Sequence, residues 1–185
     1  MGLQRISITN SARPVYTFVM DAQENKDADK SALNFSGFIY DQPYQRGHVW
    51  GEERKKKLIF SLVTGIPIGA VVINDRFANA EKFIERGEQG WCSAVIDGKQ
   101  RIHAIIDFVN NEFAVPAAWF ESRNLDVDEN VTDVYFKDLT PGAQSAFKTS
   151  TTIPVAEAHV ATVEEEKEIF HLINFGGVTQ GDSDI

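Results

Sequence analysis

The stretch Val95-Ile96-Asp97-Gly98-Lys99-Gln100-Arg101-Ile102 decides how this chain is interpreted, because it joins an apolar strand to a helix through one glycine. Upstream, residues 91–96 predict a buried strand. Downstream, apolar side chains at positions 102, 105, 106 and 109 repeat at the spacing of one helix face, so a helix is predicted from Asp97 to about Asn110. A strand that turns directly into a helix indicates a sheet with helices packed against it.

Other segments predict further elements of both kinds. Gly65 and Pro67 end one predicted helix, Thr140 with Pro141 begins another, and Thr162 with Glu165 forms a capping box before the last. Residues 152–156 are predicted to form an edge strand, because Pro154 cannot donate to a ladder. The predicted fold class is α+β, a short mixed sheet with flanking helices. The predicted helices are residues 52–64, 97–110, 140–148 and 162–174, and the predicted strands are 15–19, 38–40, 70–73, 91–96, 134–136 and 152–156.

Composition excludes several classes of protein. The 185 residues include 27 acidic and 18 basic ones, a formal charge of −9, which excludes a simple cationic nucleic-acid binder because Lys and Arg supply non-specific affinity for phosphate. The single cysteine, Cys92, excludes an intrachain disulfide and a Cys-rich zinc site, and is typical of a reducing cytoplasm. Thiol chemistry would need Cys92 exposed near the Asp97–Arg101 turn. No apolar run is long enough to predict a membrane span.

The turn from Asp97 to Arg101 has the chemical groups of a triphosphate site. Free N–H groups and the dipole at a helix N-terminus attract anions, and Gly98 lets backbone approach a ligand closely. Arg101 can bind phosphate bidentately, Lys99 adds a point charge, and Asp97 can hold Mg²⁺ beside phosphate oxygens. A ligand-free alternative is that Asp97 and Gln100 form a capping box, and the spacing alone favours it.

A second Gln-Arg pair, Gln45-Arg46, precedes the helix predicted at residue 52. Arg46 can reach the same phosphates if the two turns lie side by side, although an arginine after a strand more often forms a surface ion pair. His48 is interpreted as a polar loop residue, or as an acid or base near neutral pH. Lys55, Lys56 and Lys57 are a solvated helix face, or the local basic patch that an acidic protein needs to contact DNA. Trp50 is interpreted as a core anchor or a wall of the pocket.

Three motifs in order carry a family resemblance: Tyr44-Gln45-Arg46 before Val49-Trp50, the stretch Val95–Ile102, and Phe170-x-x-Ile173-Asn174-x-Gly176-Gly177. The chain resembles the N-terminal domain of GmrSD-type modification-dependent restriction enzymes, a branch of the ParB–sulfiredoxin-like superfamily. The resemblance implies a ParB-like fold in a single domain over residues 1–185, with 1–37 an N-terminal extension and 38–177 the family core.

The resemblance also implies a nucleotide site, with an NTP (ATP or GTP) and Mg²⁺ as cofactors. The implied catalytic residues are Asp97, which also holds the metal, Gln100 and Arg101. Lys99 stands where the family motif has Gln. The implied nucleotide-binding residues are Gln45, Arg46, Gly98, Lys99 and Asn174, and the DNA-binding candidates are His48, Lys55, Lys56 and Lys57.

Restriction enzymes of this type carry a separate HNH nuclease domain, and a stand-alone form without it is expected here. The histidines, His48, His103, His159 and His171, show no HNH spacing, so cutting DNA would require a nuclease partner chain. The predicted function is NTP hydrolysis, or NTP-dependent phosphorylation of a hydroxyl on modified phage DNA. The alternatives are a non-catalytic module that senses nucleotide or modified DNA and regulates a separate nuclease, and a phage decoy that blocks host restriction.

Overall fold

A five-stranded mixed sheet organises the computed structural model, which describes residues 6–19, 37–40, 42–45, 50–128 and 130–175. The strand order in the sheet is β1-β7-β3-β4-β2, and β5 and β6 form a separate antiparallel pair. The strands are β1 (Ile8–Pro14), β2 (Phe38–Ile39), β3 (Val71–Asp75), β4 (Ser93–Asp97), β5 (Val115–Pro116), β6 (Asp133–Val134) and β7 (Thr152–Ala158). The longer helices are α1 (Glu52–Val63), α2 (Ala80–Ile84), α3 (Lys99–Val109), α4 (Pro141–Ser150) and α5 (Val163–Phe175).

The α+β class is confirmed, and so are the four predicted helices, now α1, α3, α4 and α5, with bounds shifted by one or two residues. The predicted caps at the start of α4 and α5 form. The Thr140 hydroxyl accepts a hydrogen bond from the Ala143 N–H at 3.3 Å. The N–H of Glu165 donates to the Thr162 hydroxyl oxygen at 3.2 Å, and the Glu165 carboxylate accepts from that hydroxyl at 3.1 Å. These local contacts fix where α4 and α5 begin.

Two strand predictions were wrong. Residues 15–19 are helical, because Val15, Phe18 and Val19 are all buried and share one face at helical spacing. Strand β7 is not an edge strand but lies between β1 and β3. Pro154 is tolerated there because β3 pairs with β7 only from Val155 onward, so the proline removes no donor from that ladder.

Helices cover both faces of the sheet and bury two apolar clusters. The larger cluster packs α1, α3 and α4 against one face, and the smaller packs α5 against the other, around Val72, Ile96 and Ile169. Strand β4 contributes buried side chains to both clusters, which fixes the position of the turn that follows it. No helix among the described residues is long and apolar enough to cross a membrane.

The antiparallel pairing of β3 with β4 contains a bulge immediately before this turn. Ile73 pairs with Val95 and Val72 pairs with Asp97, so Ile96 is an extra residue on β4. A bulge bends its strand and redirects the backbone groups beside it. The turn from Asp97 to Arg101 therefore begins at the bulged end of β4.

Candidate functional site

A cleft of about 540 Å³ is lined by the turn between β4 and α3 together with two segments distant in sequence, the loop before α1 and the C-terminal part of α5. This size is typical of small-molecule sites. The cleft brings together most of the predicted site residues: Gln45, Asp97, Gly98, Lys99, Gln100, Arg101 and Asn174.

Gly98 is the N-cap of α3 and has a left-handed backbone, with φ of +98°. A Cβ there would lie 2.8 Å from Cγ2 of Val71 and 3.1 Å from Nη2 of Arg101, so both conformation and space require glycine. No side chain caps the helix. The Asp97 carboxylate instead accepts a hydrogen bond from Arg101, and Oε1 of Gln100 accepts one from the Trp50 N–H at 3.4 Å. The capping-box interpretation of Asp97 and Gln100 was therefore wrong.

Asp97 and Arg101 form a partly exposed ion pair at the cleft. Nη2 of Arg101 lies 2.7 Å from Oδ2 of Asp97 and also donates to the Ala70 carbonyl at 2.9 Å. The side chains are 21% exposed for Arg101 and 26% for Asp97. Nε of Arg101 is buried and donates no hydrogen bond within the described part of the chain. The guanidinium is thus held in place while part of its donor capacity is unused.

Gln45 fastens the loop before α1 to the bulged end of β4. Its amide nitrogen donates to the carbonyls of Val95 at 2.6 Å and Ile96 at 2.7 Å. Its oxygen, Oε1, is buried and accepts no hydrogen bond from the described residues. The structure thus gives Gln45 a positioning contact at the cleft, and its contact with nucleotide stays a prediction.

The family model for the GmrSD restriction endonuclease N-terminal domain matches residues 28–185. The chain belongs to this family. The resemblance seen in the sequence motifs is confirmed, and membership places this GmrSD N-terminal domain in restriction and DNA modification. No curated protein and no solved structure matches the chain.

Two further predicted residues of the GmrSD N-terminal domain lie at the cleft. Lys99, at the first turn of α3, is buried, with 8% of its surface exposed. Asn174, near the end of α5, is exposed and donates its amide to the Phe170 carbonyl at 2.9 Å. Buried and exposed polar groups therefore line the same cleft, one on α3 and one on α5.

Among the remaining candidates, Lys55, Lys56 and Lys57 do not line the cleft. Arg46 and His48 lie outside the described residues. Lys55 is paired with Asp107 at 2.7 Å and Lys56 with Glu52 at 2.8 Å, so two of the three charges of the predicted basic patch are already compensated. DNA contact by Lys55, Lys56 and Lys57 stays a prediction.

Sequence reasoning missed most of the aromatic lining of the cleft. Trp50 was interpreted as core or pocket wall, and it is half-buried against the larger cluster while also lining the cleft. The guanidinium of Arg54 lies 4.4 Å from the centre of its ring. Across the sequence, Tyr44 and Phe170 also line the cleft, with ring centres 5.5 Å apart. Their spacing of 126 residues leaves no local pattern that predicts the contact.

A buried ion pair behind Tyr44 was also missed. Arg76 and Glu166 are 1% and 0% exposed, and the guanidinium donates to both carboxylate oxygens, at 2.7 and 2.6 Å. Asn74 donates to the same carboxylate at 2.8 Å and the Tyr44 hydroxyl donates at 3.4 Å. This group, Asn74, Arg76, Glu166 and Tyr44, is called the closed cluster below. It connects strand β3, helix α5 and the loop that lines the cleft.

Burial and charge fix the protonation of groups in and beside the closed cluster. Burial, reinforced by the Glu166 charge, raises the pKa of Tyr44 far above its usual value, so its hydroxyl stays a donor. Burial alone would lower the pKa of Arg76, but the hydrogen bonds and charge of Glu166 raise it overall. Burial raises the pKa of Cys92 to about 11. Cys92 is 5% exposed and does not line the cleft, so its position does not favour thiol chemistry there.

A second group of possible metal ligands lies away from this cleft. Asp75, Glu157 and His159 each place a ligand atom within 4.8 Å of the others. Glu157 is already paired with Arg13, whose positive charge opposes a cation at the same carboxylate. The cleft of the GmrSD N-terminal domain therefore remains the candidate site.

Proposed function

We propose that this domain binds a nucleoside triphosphate with Mg²⁺ in the cleft and transfers its γ-phosphoryl group to an oxygen acceptor. The observation that carries the proposal is the juxtaposition of the Gly98 turn, the Asp97–Arg101 pair and buried Lys99 in one cleft. Family membership supports the setting in restriction and DNA modification.

The residues present fit a polyphosphate. The backbone N–H groups of the first turn of α3 have no partner within the helix, and the helix dipole favours an anion beside them. Glycine at position 98 lets the turn pack against Val71 and the Arg101 guanidinium, where a Cβ would not fit. Arg101 and Lys99 provide two cations that line the cleft, and the partly exposed guanidinium of Arg101 can bind phosphate oxygens. Together these groups would stabilise the negative charge of the transferring phosphoryl group.

The residues also fit a magnesium ion bound with its nucleotide. Among the described residues that line the cleft, Asp97 is the carboxylate, and Mg²⁺ is commonly held by one or two carboxylates together with substrate phosphates and water. When bound, the ion would neutralise phosphate charge. Asp97 accepts a hydrogen bond from Arg101. With the nucleotide bound, Arg101 would contact the phosphate and Asp97 would contact the metal.

The proposed reaction transfers one group and one proton. The bond between the γ-phosphorus and the bridging oxygen breaks, a bond from the acceptor oxygen to that phosphorus forms, and the acceptor loses its proton. With water as acceptor the products are a nucleoside diphosphate and inorganic phosphate. With a hydroxyl on a modified DNA base the products are the diphosphate and phosphorylated DNA. Asp97 would hold the metal or accept the proton.

The direct test is incubation with γ-labelled ATP or GTP and Mg²⁺, with hydroxymethylated or unmodified DNA. We expect either released phosphate or labelled modified DNA, and loss of both in Asp97→Asn and Arg101→Ala. Arg123→Ala is the matched control, because Arg123 is paired with Glu121 on an exposed surface outside the cleft. Turnover that survives both cleft substitutions would contradict the site, and its absence in the unmodified protein would contradict catalysis.

A second candidate is a non-catalytic module in which the same cleft senses nucleotide and regulates a separate nuclease. The lysine at position 99, where the family motif has Gln, favours this alternative, because it keeps a phosphate contact and loses an amide that could orient water. Nucleotide that raises the melting temperature without any turnover would support the module.

A further inference from the structure

We infer that the cleft side chains Trp50, Arg54 and Phe170 bind the base of a mononucleotide. This inference rests on the proposed function, because it assigns the base of the same ligand whose phosphates the α3 turn would hold. It goes further because it names the residues that contact the base and assigns the cleft to a mononucleotide rather than to DNA.

The lining of the cleft is divided between polar and aromatic side chains. The turn at the start of α3 contributes charged and polar groups, whereas the loop before α1 and helix α5 contribute the rings of Tyr44, Trp50 and Phe170. The two kinds of lining meet where the Trp50 N–H donates to the Gln100 side chain at 3.4 Å. A ligand that binds both therefore has an anionic part and a planar apolar part joined over a short distance.

The aromatic side chains of the cleft are held in place by contacts with the rest of the fold. Trp50 is half-buried against the core, so its ring is anchored while it lines the cleft. Phe170 is half-buried and contacts Tyr44, whose hydroxyl is held by buried Glu166. Arg54 is exposed and lies over the Trp50 ring, and a guanidinium stacks on a base as readily as on an indole. Rings ordered before binding lose little entropy when a base stacks on them.

The charge of the chain and the volume of the cleft favour a mononucleotide over DNA as the ligand. A formal charge of −9 disfavours a long polyanion, and Lys55 and Lys56 on neighbouring α1 are already paired with acidic side chains. A mononucleotide needs few cations, and two line the cleft itself: Lys99, and Arg101 beside Asp97. A volume of about 540 Å³ suits one small ligand that carries both base and phosphates.

The experiment compares the affinities of ATP, GTP and inorganic tripolyphosphate, each with Mg²⁺, for the full chain and its variants. Phe170→Leu and Trp50→Leu remove a stacking surface while keeping apolar volume, and Arg54→Gln changes an exposed side chain that the core does not need. We expect the Kd of the nucleotide to rise about 5- to 100-fold in the two ring variants and several-fold in Arg54→Gln. The Kd of tripolyphosphate should change less than twofold. Trp119→Leu is the matched control, since Trp119 packs on Phe60 outside the cleft.

The outcomes separate this inference from the function on which it rests. Tripolyphosphate that binds the unmodified chain as tightly as ATP and GTP would overturn the base site and leave the phosphate site standing. An unchanged nucleotide affinity in Phe170→Leu and Arg54→Gln would also overturn it. Tight binding of an oligonucleotide with a hydroxymethylated base, lost in the ring variants while ATP and GTP do not bind, would assign the rings to DNA instead. If neither tripolyphosphate nor nucleotide binds, both proposals fail.

Discussion

Two arginine–carboxylate pairs in this domain have the same chemistry and different surroundings. Arg76 and Glu166 are buried, and Glu166 also accepts from Asn74 and Tyr44. Asp97 and Arg101 lie at the cleft, each about a quarter exposed, with a buried nitrogen of Arg101 that donates to nothing among the described residues. The first pair has its charges satisfied by protein groups, whereas the second is partly exposed at the cleft, where a ligand can reach it.

The two pairs therefore differ in their expected contributions to stability and to ligand binding. A buried pair that loses one member leaves an uncompensated charge and costs much stability. A partly exposed pair is screened by water and contributes little, so its loss should affect binding and catalysis far more than folding. Each prediction below tests this division.

The largest expected effect is on stability, from Glu166→Gln. It leaves the Arg76 guanidinium buried without a counter-charge, so the free energy of unfolding should fall by about 3–5 kcal/mol. Urea denaturation followed by circular dichroism measures it. Asp97→Asn at the open pair should cost less than about 1 kcal/mol, and equal losses in the two variants would contradict the comparison.

The next effect is on turnover, from Arg101→Lys. The charge is kept, but the planar guanidinium that can bind phosphate through two nitrogens is lost. We expect the rate of phosphoryl transfer to fall by about 100-fold or more, the usual effect of removing one preorganised donor, while the melting temperature changes little. A matching substitution at the closed cluster, Arg76→Lys, should lower the melting temperature instead. Retained turnover in Arg101→Lys would remove Arg101 from the site.

Gly98→Ala should destabilise the turn on which the open pair is built. The alanine would adopt a left-handed backbone and contact Val71, at a cost of about 1–3 kcal/mol. Gly142→Ala is the matched control, because Gly142 lies in α4 with open space around it, and this change should stabilise the fold by about 0.5–1 kcal/mol. Thermal unfolding shows whether each substitution raises or lowers the melting temperature. A rise in both variants would show that alanine is not strained at position 98.

Tyr44→Phe tests how far the closed cluster supports the cleft. It removes one long hydrogen bond to Glu166 and leaves the ring in contact with Phe170, so the loss of stability should be about 1 kcal/mol. Nucleotide affinity, measured by calorimetry, should fall less than in Phe170→Leu. A larger loss of affinity than of stability would mean that the hydroxyl itself contacts the ligand.

A pH dependence at Cys92 reports whether the interior beside the closed cluster excludes water. The pKa of Cys92 is raised from an ordinary 9.0 to about 11 in the fold, so folding favours the protonated thiol. The resulting stabilisation is present below about pH 9 and is lost as the pH rises toward 11. Cys92→Ala should flatten the fall in stability over that range. Native Cys92 should also react with iodoacetamide at pH 9 far more slowly than the unfolded chain.

The parts that could be predicted from the sequence are those specified by neighbouring residues. Gly98 at the end of an apolar strand marked the turn, and Thr162 with Glu165 marked the start of α5, because caps and turns depend on side chains three or four positions apart. The position of β7 was mispredicted because Pro154 lacks a backbone N–H, which is typical of an edge strand. The missing N–H is tolerated in this sheet because β3 pairs with β7 only from Val155 onward. The Arg76–Glu166 pair was missed because its members are 90 residues apart and follow no local pattern.

The short length of β2 gives the Gln45 side chain a role in satisfying the backbone of β4. Strand β2 covers only Ser93 and Ala94 of β4, and the next two carbonyls, freed by the bulge, are occupied by the Gln45 amide. Buried backbone acceptors without a hydrogen-bond partner are destabilising, and Val95 and Ile96 are both fully buried. The Gln45 amide thus satisfies two carbonyls at buried positions beyond the end of β2. We expect Gln45→Ala to lower the melting temperature as well as alter the cleft.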